Sequence, residues 1–305
     1  VNGKLLAYAQ LMRLPNVFTA FADILLAACA AGYAAEHPLT LAALLVSSGC
    51  LYLGGMVLND YFDRHDDAKT RPFRPIPSGR IPARTALSLG LVLLVVGVLF
   101  AHSAFQPYKS EQWKVHAYPP GLVALVLAGM ILAYDSILKH TPLGPVAMGA
   151  CRFLNVQLGL SVGDVDVSPL SVHLATVTGV YIVGVTWFAR TEEGESNRRQ
   201  LVLAAVVMLA ALGLAVTVPA HRPPGTTPIY FPYLVAAFGF FVAAKVVPAI
   251  QRPGPKEVQA AVKRSILGLV VLDAVLATAF VGGWGLLILL LFLPARWLGK
   301  RVYST

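Results

Sequence analysis

Long apolar runs separated by short polar segments make up almost the whole chain. Nine runs reach the roughly 20 mostly apolar residues that a helix needs to cross about 30 Å of hydrocarbon. They cover residues 14–35, 39–58, 83–101, 120–138, 143–163, 169–189, 200–218, 229–250 and 265–298. None alternates with a period of two, and backbone in lipid must satisfy its own hydrogen bonds. The pattern therefore predicts an all-α, polytopic bundle rather than a barrel. At about 1.5 Å per residue the last run is too long for one straight span. Gly282, Gly283 and Gly285 predict a break within it, leaving room for a short tenth segment. The first run begins after Arg13 and encloses Asp23, so it reads as a retained span, although its AACAAGYAA end has the small residues of a signal-peptidase site.

Composition sharpens this picture. Charged residues are 13% of the 305, about half the usual ~25% of soluble domains, and mean hydropathy is +0.69. The longer polar segments, 59–82, 105–119 and 251–263, are too short for a soluble domain, so residues 1–305 read as one integral-membrane domain. Segment 105–119 mixes aromatic residues with Lys109 and Lys114, which suits an interfacial cap. Polar clusters after alternate spans are what alternating topology produces, so no internal repeat is inferred.

The net charge of +9 would fit nucleic acid if it formed one patch, but it is distributed by loop. Lys4 and Arg13 precede the first run, and Arg64, Lys69, Arg71, Arg74, Arg80 and Arg84 follow the second. Lys139 follows the fourth; Arg190, Arg198 and Arg199 follow the sixth; Arg252, Lys256, Lys263 and Arg264 follow the eighth. The positive-inside rule places the N-terminus and the Asp-rich loop in the cytoplasm, and no nucleic-acid partner is expected. Cys29, Cys50 and Cys151 have no paired spacing and read as small buried side chains.

The chemistry concentrates in GGMVLNDYFDRHDDAKTRPFRPIPSGRIP, residues 54–82. Asn59, Asp63 and Asp67 are four apart and Asp60 lies three before Asp63, so a helix continued past the membrane face would bring them onto one stripe. Carboxylates about 5 Å apart repel by roughly 3 kcal/mol per pair at an effective dielectric of about 20, so a cation is needed among them. Hard oxygen ligands without His or Cys favour Mg²⁺, which commonly bridges to substrate phosphate. Arg71 and Arg74 supply forked donors for phosphate oxygens. The prolines at 72, 75, 77 and 82 stiffen the loop, and Gly79 permits a turn that would return the arginines to the carboxylates. The bland alternative is a solvated loop whose acids and bases pair with one another.

NDYFDRHDD fits an NDxxDxxxD motif and RPFRPIPSGRI an RPxRPxxSG continuation. On these motifs the chain resembles the UbiA superfamily of intramembrane prenyltransferases. RLPNVFTAFADILLAA, YLGGMVLNDYFD and GPVAMGACRFLNVQLGLS look most like its EboC-like branch. The resemblance implies nine helices around a central lipid-facing cavity, Mg²⁺ held by two Asp-rich motifs, and an isoprenyl diphosphate between them. It also implies that Lys139, in AYDSILKHTPLGP, reaches the diphosphate, with Tyr134 or Asp135 facing the reacting carbon. For Lys139 the alternative is a headgroup anchor.

Span five carries Arg152, Asn155 and Gln157 within apolar sequence, and such residues face a cavity or a partner. A diphosphate role for Arg152 and Asn155 competes evenly with structural pairing to Asp23. Arg13 and Asn16 are candidates for the same cytoplasmic cavity, whereas Asp273 reads as a packing residue between helices. The second acidic motif departs from the family pattern, since FARTEEGESNRR offers Glu192, Glu193 and Glu195 crowded by arginines. Either Glu192 and Glu195 hold a second metal in altered geometry, or arginine replaces part of its charge.

The expected function is Mg²⁺-dependent prenyl transfer from an isoprenyl diphosphate to a small or lipid acceptor within the membrane. Asp60, Asp63, Lys139, Tyr134 and Asp135 are the expected catalytic set. Asn59, Asp60, Asp63, Asp67, Glu192 and Glu195 are the expected metal ligands, and Arg13, Asn16, Arg71, Arg74, Lys139, Arg152 and Asn155 the expected diphosphate ligands. The alternatives are a transporter or lipid-handling protein that keeps the fold and one phosphate site, and a structural partner in a membrane biosynthetic complex.

Overall fold

The structure is a computed structural model, and it describes residues 3–104, 119–162, 169–190 and 197–302. Among these residues every regular element is helical. A short surface helix, α1 (Gly3–Leu11), leads into a 3₁₀ turn at Leu14–Asn16, where Pro15 sets the entry angle. Then come α2 (Phe18–Ala31), α3 (Pro38–Phe62) and α4 (Arg64–Thr70). They are followed by α5 (Ala83–Ser103), α6 (Pro120–Ser136), α7 (Gly144–Leu160) and α8 (Pro169–Ala189). The last are α9 (Arg198–Val216), α10 (Phe231–Gln251), α11 (Pro255–Val281) and α12 (Phe292–Gly299).

Seven segments of the described residues are long and apolar enough to span a membrane, those of α2, α3, α5, α8, α9, α10 and the run from α11 to α12. α6 is a shorter apolar helix and α7 carries the polar residues of span five. The nine elements pack in sequence order, α2 on α3, α3 on α5 and so on to α10 on α11, and α11 closes the ring on α2. α2 also packs on α7, and α8 on α11, so the ring is drawn in across its middle. One apolar core lies among α7–α11 and another among α3, α5 and α6, with α2 contributing to both.

Glycine sets how closely the walls approach. A Cβ at Gly90 of α5 would stand 2.6 Å from Leu58 Cγ of α3, and one at Gly149 of α7 would stand 2.7 Å from the Gly179 carbonyl oxygen of α8. Small residues at such crossings let helices meet where no hydrophobic drive separates protein from lipid.

The expected break in the last run is present. α11 stops at Val281, Gly282 takes φ +60°, and Gly282–Leu291 is wound as 3₁₀ helix before α12. The polar segment 251–263 is not the loop that its charges predict, because α11 begins at Pro255. A proline at the first helical position, Glu257 in the first turn, and buried Val258, Ala261 and Val262 make it a helix start. Segment 105–118, the expected interfacial cap, lies outside the described residues.

Candidate active site at the carboxylate end of the bundle

α3 runs out of the bundle and does not stop cleanly. Asp63 N donates to Asn59 O at 3.0 Å and Asp67 N to Asp63 O at 2.9 Å, so helical hydrogen bonding passes through the junction into α4. The winding changes at Asp63, whose ψ is −2°. This splits the expected stripe into two groups rather than one.

In the first group, Asp60 and Asp67 converge on one guanidinium. Arg74 Nη1 lies 2.7 Å from Asp67 Oδ2 and 3.3 Å from Asp60 Oδ1. Arg13 Nη2 reaches the same Asp60 oxygen at 3.0 Å, and Arg71 lies 3.9 Å from Asp67. Both carboxylates are buried, so unpaired charge there would be costly. Burial works against the Arg13 charge, yet Asp60, Tyr52 and Asp67 outweigh it and hold that guanidinium above its usual value. Arg13 achieves this reach from a left-handed backbone, φ 45°, at the corner between α1 and α2.

The second group joins α3 to the α6–α7 corner. Lys139 Nζ lies 2.6 Å from Asp63 Oδ1 and donates to Asn59 O at 3.4 Å. Asn59 Nδ2 donates to Asp135 Oδ1 at 3.0 Å. Arg190, at the end of α8, donates to the carbonyls of Lys139 and Thr141, so the ends of α3, α6 and α8 gather around one site.

The proline-rich loop returns Arg74, but not by the route expected. Consecutive turns do it, with Arg74 N bonded to Arg71 O and Ser78 N to Arg74 O, both at 3.0 Å. Gly79, at φ +73°, instead sends Arg80 back onto Phe73 O (2.7 Å) and Gln10 (2.7 Å).

Beneath the carboxylates a cavity opens between α2, α3, α6 and α7. Asp135 and Tyr134 stand at its mouth, and its walls are mainly apolar, with Leu51, Met56, Leu127, Ile131 and Met148 among them. Sequence reasoning missed this wall. Its signal was legible, since Ser48, Tyr52, Gly55 and Met56 precede Asn59 at helical intervals on one face of α3.

Arg152 and Asn155 are not gathered with the carboxylates. They lie deeper, where Arg152 Nη1 donates to Asp23 Oδ2 at 3.0 Å and Nη2 to Thr19 Oγ1 at 2.7 Å. Asn155 Nδ2 donates to Asp23 Oδ2 at 2.8 Å. The pairing with Asp23 that the sequence allowed is thus present, and Arg152 and Asn155 also line the inner part of the cavity. Asp273 of α11, fully buried, faces Asp23. Asn16 takes part through its carbonyl, which accepts from Thr19 Oγ1 at 2.8 Å, rather than through the carboxylate cluster. Glu192 and Glu195 lie outside the described residues.

Does the set fit a metal ion? Among the described residues no three His, Cys, Asp or Glu side chains stand close enough to hold one as they are. Asp60 and Asp67 nevertheless aim two carboxylate oxygens at a single point held by Arg74, and all donors are hard oxygen. A positive charge is built into that point, and Mg²⁺ suits the donors, with water and phosphate completing its shell.

Known proteins share this fold and its sequence family. The sequence model of the UbiA prenyltransferase family matches residues 20–260. A digeranylgeranylglyceryl phosphate synthase of Ignicoccus hospitalis is 31% identical over 159 residues, covering 48% of this chain and 52% of that protein, so the match spans about half of its length. The Halobacterium salinarum synthase of the same name is 29% identical over 248 residues, 79% of this chain and 83% of that one. A solved structure described as concerning digeranylgeranylglyceryl phosphate synthase in membranes superposes with a TM-score of 0.66 at 18% identity, covering 92% of this chain and 99% of that one. An Archaeoglobus fulgidus UbiA homologue bound to GPP and Mg²⁺ gives 0.60 at 13% identity, covering 88% and 99%. The structures share the fold, and the family match covers most of the chain, without singling out an EboC-like branch. The chain belongs to the UbiA prenyltransferase family.

Proposed function

We propose that this family member transfers a prenyl group from an isoprenyl diphosphate to a small or lipid acceptor, with Mg²⁺, at the cytoplasmic end of the bundle. The observation that carries this reading is a carboxylate, arginine and lysine cluster seated directly over an apolar cavity. An anionic head and an apolar tail ask for that pair of environments. The A. fulgidus neighbour was solved with GPP and Mg²⁺, and the named relatives are synthases of a prenylated glyceryl phosphate, which favours a lipid-like acceptor.

Asp60 and Asp67 would hold Mg²⁺, which when bound supplies positive charge against the diphosphate, while Asp63 positions Lys139. Arg74, Arg13, Arg71 and Lys139 are at hand for the diphosphate oxygens and stabilise the charge that grows as the carbon–oxygen bond to the leaving group breaks. Tyr134 and Asp135, at the cavity mouth, face the allylic carbon. The apolar walls exclude water that would quench it. The acceptor's nucleophile then forms the new bond and gives up its proton.

The test is incubation of the purified protein with labelled prenyl diphosphates, Mg²⁺ and a panel of phenolic, sugar-alcohol and glyceryl phosphate acceptors. Product is expected with at least one pair, lost in Asp63→Ala. Absence of diphosphate release with every donor, or full activity in Asp63→Ala, overturns the reading.

A further inference from the structure

The cavity under the carboxylates ends on polar groups rather than apolar ones, and α3 gives its depth. From Asn59, which bonds Asp135 at the mouth, down to Ser48 at the inner end is eleven residues, about 16 Å at 1.5 Å per residue. At that depth Ser48 Oγ donates to Asn155 Oδ1 at 2.8 Å. Asn155 Nδ2 in turn holds Asp23 Oδ2 at 2.8 Å and Ala20 O at 3.1 Å, with Arg152 beside them. One turn further along α7 there is no space, because a Cβ at Gly159 would stand 2.4 Å from Ala27 Cβ of α2.

We infer that the Ser48–Asn155–Arg152 floor limits the donor's length, admitting a tail of about three isoprene units. An isoprene unit advances about 5 Å, being four carbon–carbon bonds of about 1.5 Å each, so three units fill the depth of the cavity. A fourth must part the Ser48–Asn155–Asp23 hydrogen bonds or fold back on itself. Parting them leaves buried polar groups unsatisfied, which lowers affinity by about tenfold or more. This inference rests on the donor reading above, and it adds a property of these residues that a phosphate site alone does not require.

Calorimetric binding of non-hydrolysable thiolodiphosphates of one to four isoprene units, with Mg²⁺ and the purified full chain, measures the limit directly. Affinity should rise by about tenfold or more per unit up to three, because each buried unit removes apolar surface from water. It should fall by about tenfold at the fourth. Two variants move the floor toward the mouth. Gly55→Val places its side chain one turn from Asn59, and the tightest analogue should become the one-unit compound. Cys151→Phe, one turn of α7 before Asn155, should make it the two-unit compound. Affinity that keeps rising through four units, or a length profile unchanged in both variants, overturns the floor while leaving the donor reading in place. Failure of every analogue to bind overturns the donor reading itself, and the floor with it.

Discussion

Two acid–arginine clusters, one at the carboxylate end of the bundle and one between α2 and α7, differ in how far their acids are buried. At the bundle end, Asp60, Asp63 and Asp67 meet Arg13, Arg74 and Lys139, and Asp63 keeps 24% of its side chain exposed. In the interior, Asp23 at 0% exposure meets Arg152, Asn155 and Thr19, and all of them are tied between helices. The first set stands at the end of the bundle, above the cavity mouth where Asp135 and Tyr134 lie. The second lies at the inner end of the same cavity, where its ion pair joins α2 to α7 as a staple. Acid–arginine pairs thus stand in two settings, one beside a partly exposed Asp63 and one around a fully buried Asp23.

The largest expected effect tests the staple. Arg152→Leu leaves Asp23 buried without its cation and should lower stability by about 3–5 kcal/mol, read from denaturant or thermal unfolding in detergent. Asp23→Asn added to it should restore much of the loss, since the uncompensated charge is then gone. A normally stable but inactive Arg152→Leu would break the comparison and move Arg152 into the catalytic machinery.

Next comes Asp60→Asn at the mouth. Turnover should fall by at least about a hundredfold, because charge on the leaving group is no longer offset through a held cation. The unfolding midpoint should change little, as Arg74 keeps Asp67 and Arg13 is part exposed. A large loss of stability in this variant would make the mouth cluster a second staple.

Lys139→Met is expected to cost about tenfold in turnover, since one of several donors to phosphate is removed and its neighbours remain. The smallest effect is at Arg80, an exposed residue bonded to Gln10 and Phe73 O. Arg80→Ala should alter stability by no more than about 0.5 kcal/mol and leave turnover in place, as surface contacts usually do.

Much of this was legible in the linear pattern. The apolar runs found their helices, and three glycines marked the end of α11. The Asn59–Asp67 spacing marked the mouth, because i, i+4 neighbours are fixed by helix geometry before anything else packs. The loop reading of 251–263 failed because hydropathy registers charge but not the cap chemistry of Gly254 and Pro255. The pairing of Arg152 with Asp23 is left open by the sequence for a different reason. The two are 129 residues apart, and both a cavity role and a buried pair satisfy a mid-membrane arginine equally well in sequence.

The sequence by itself determined the spanning helices, the polar end and the spacing of its carboxylates, since each follows from transfer to lipid or from local helix geometry. Only the tertiary structure decided which arginine serves which acid, that Asp273 faces Asp23, and where the cavity stops. Those depend on which helix faces meet across the bundle, and burial then fixes the partners because an unpaired charge away from water is too costly to persist.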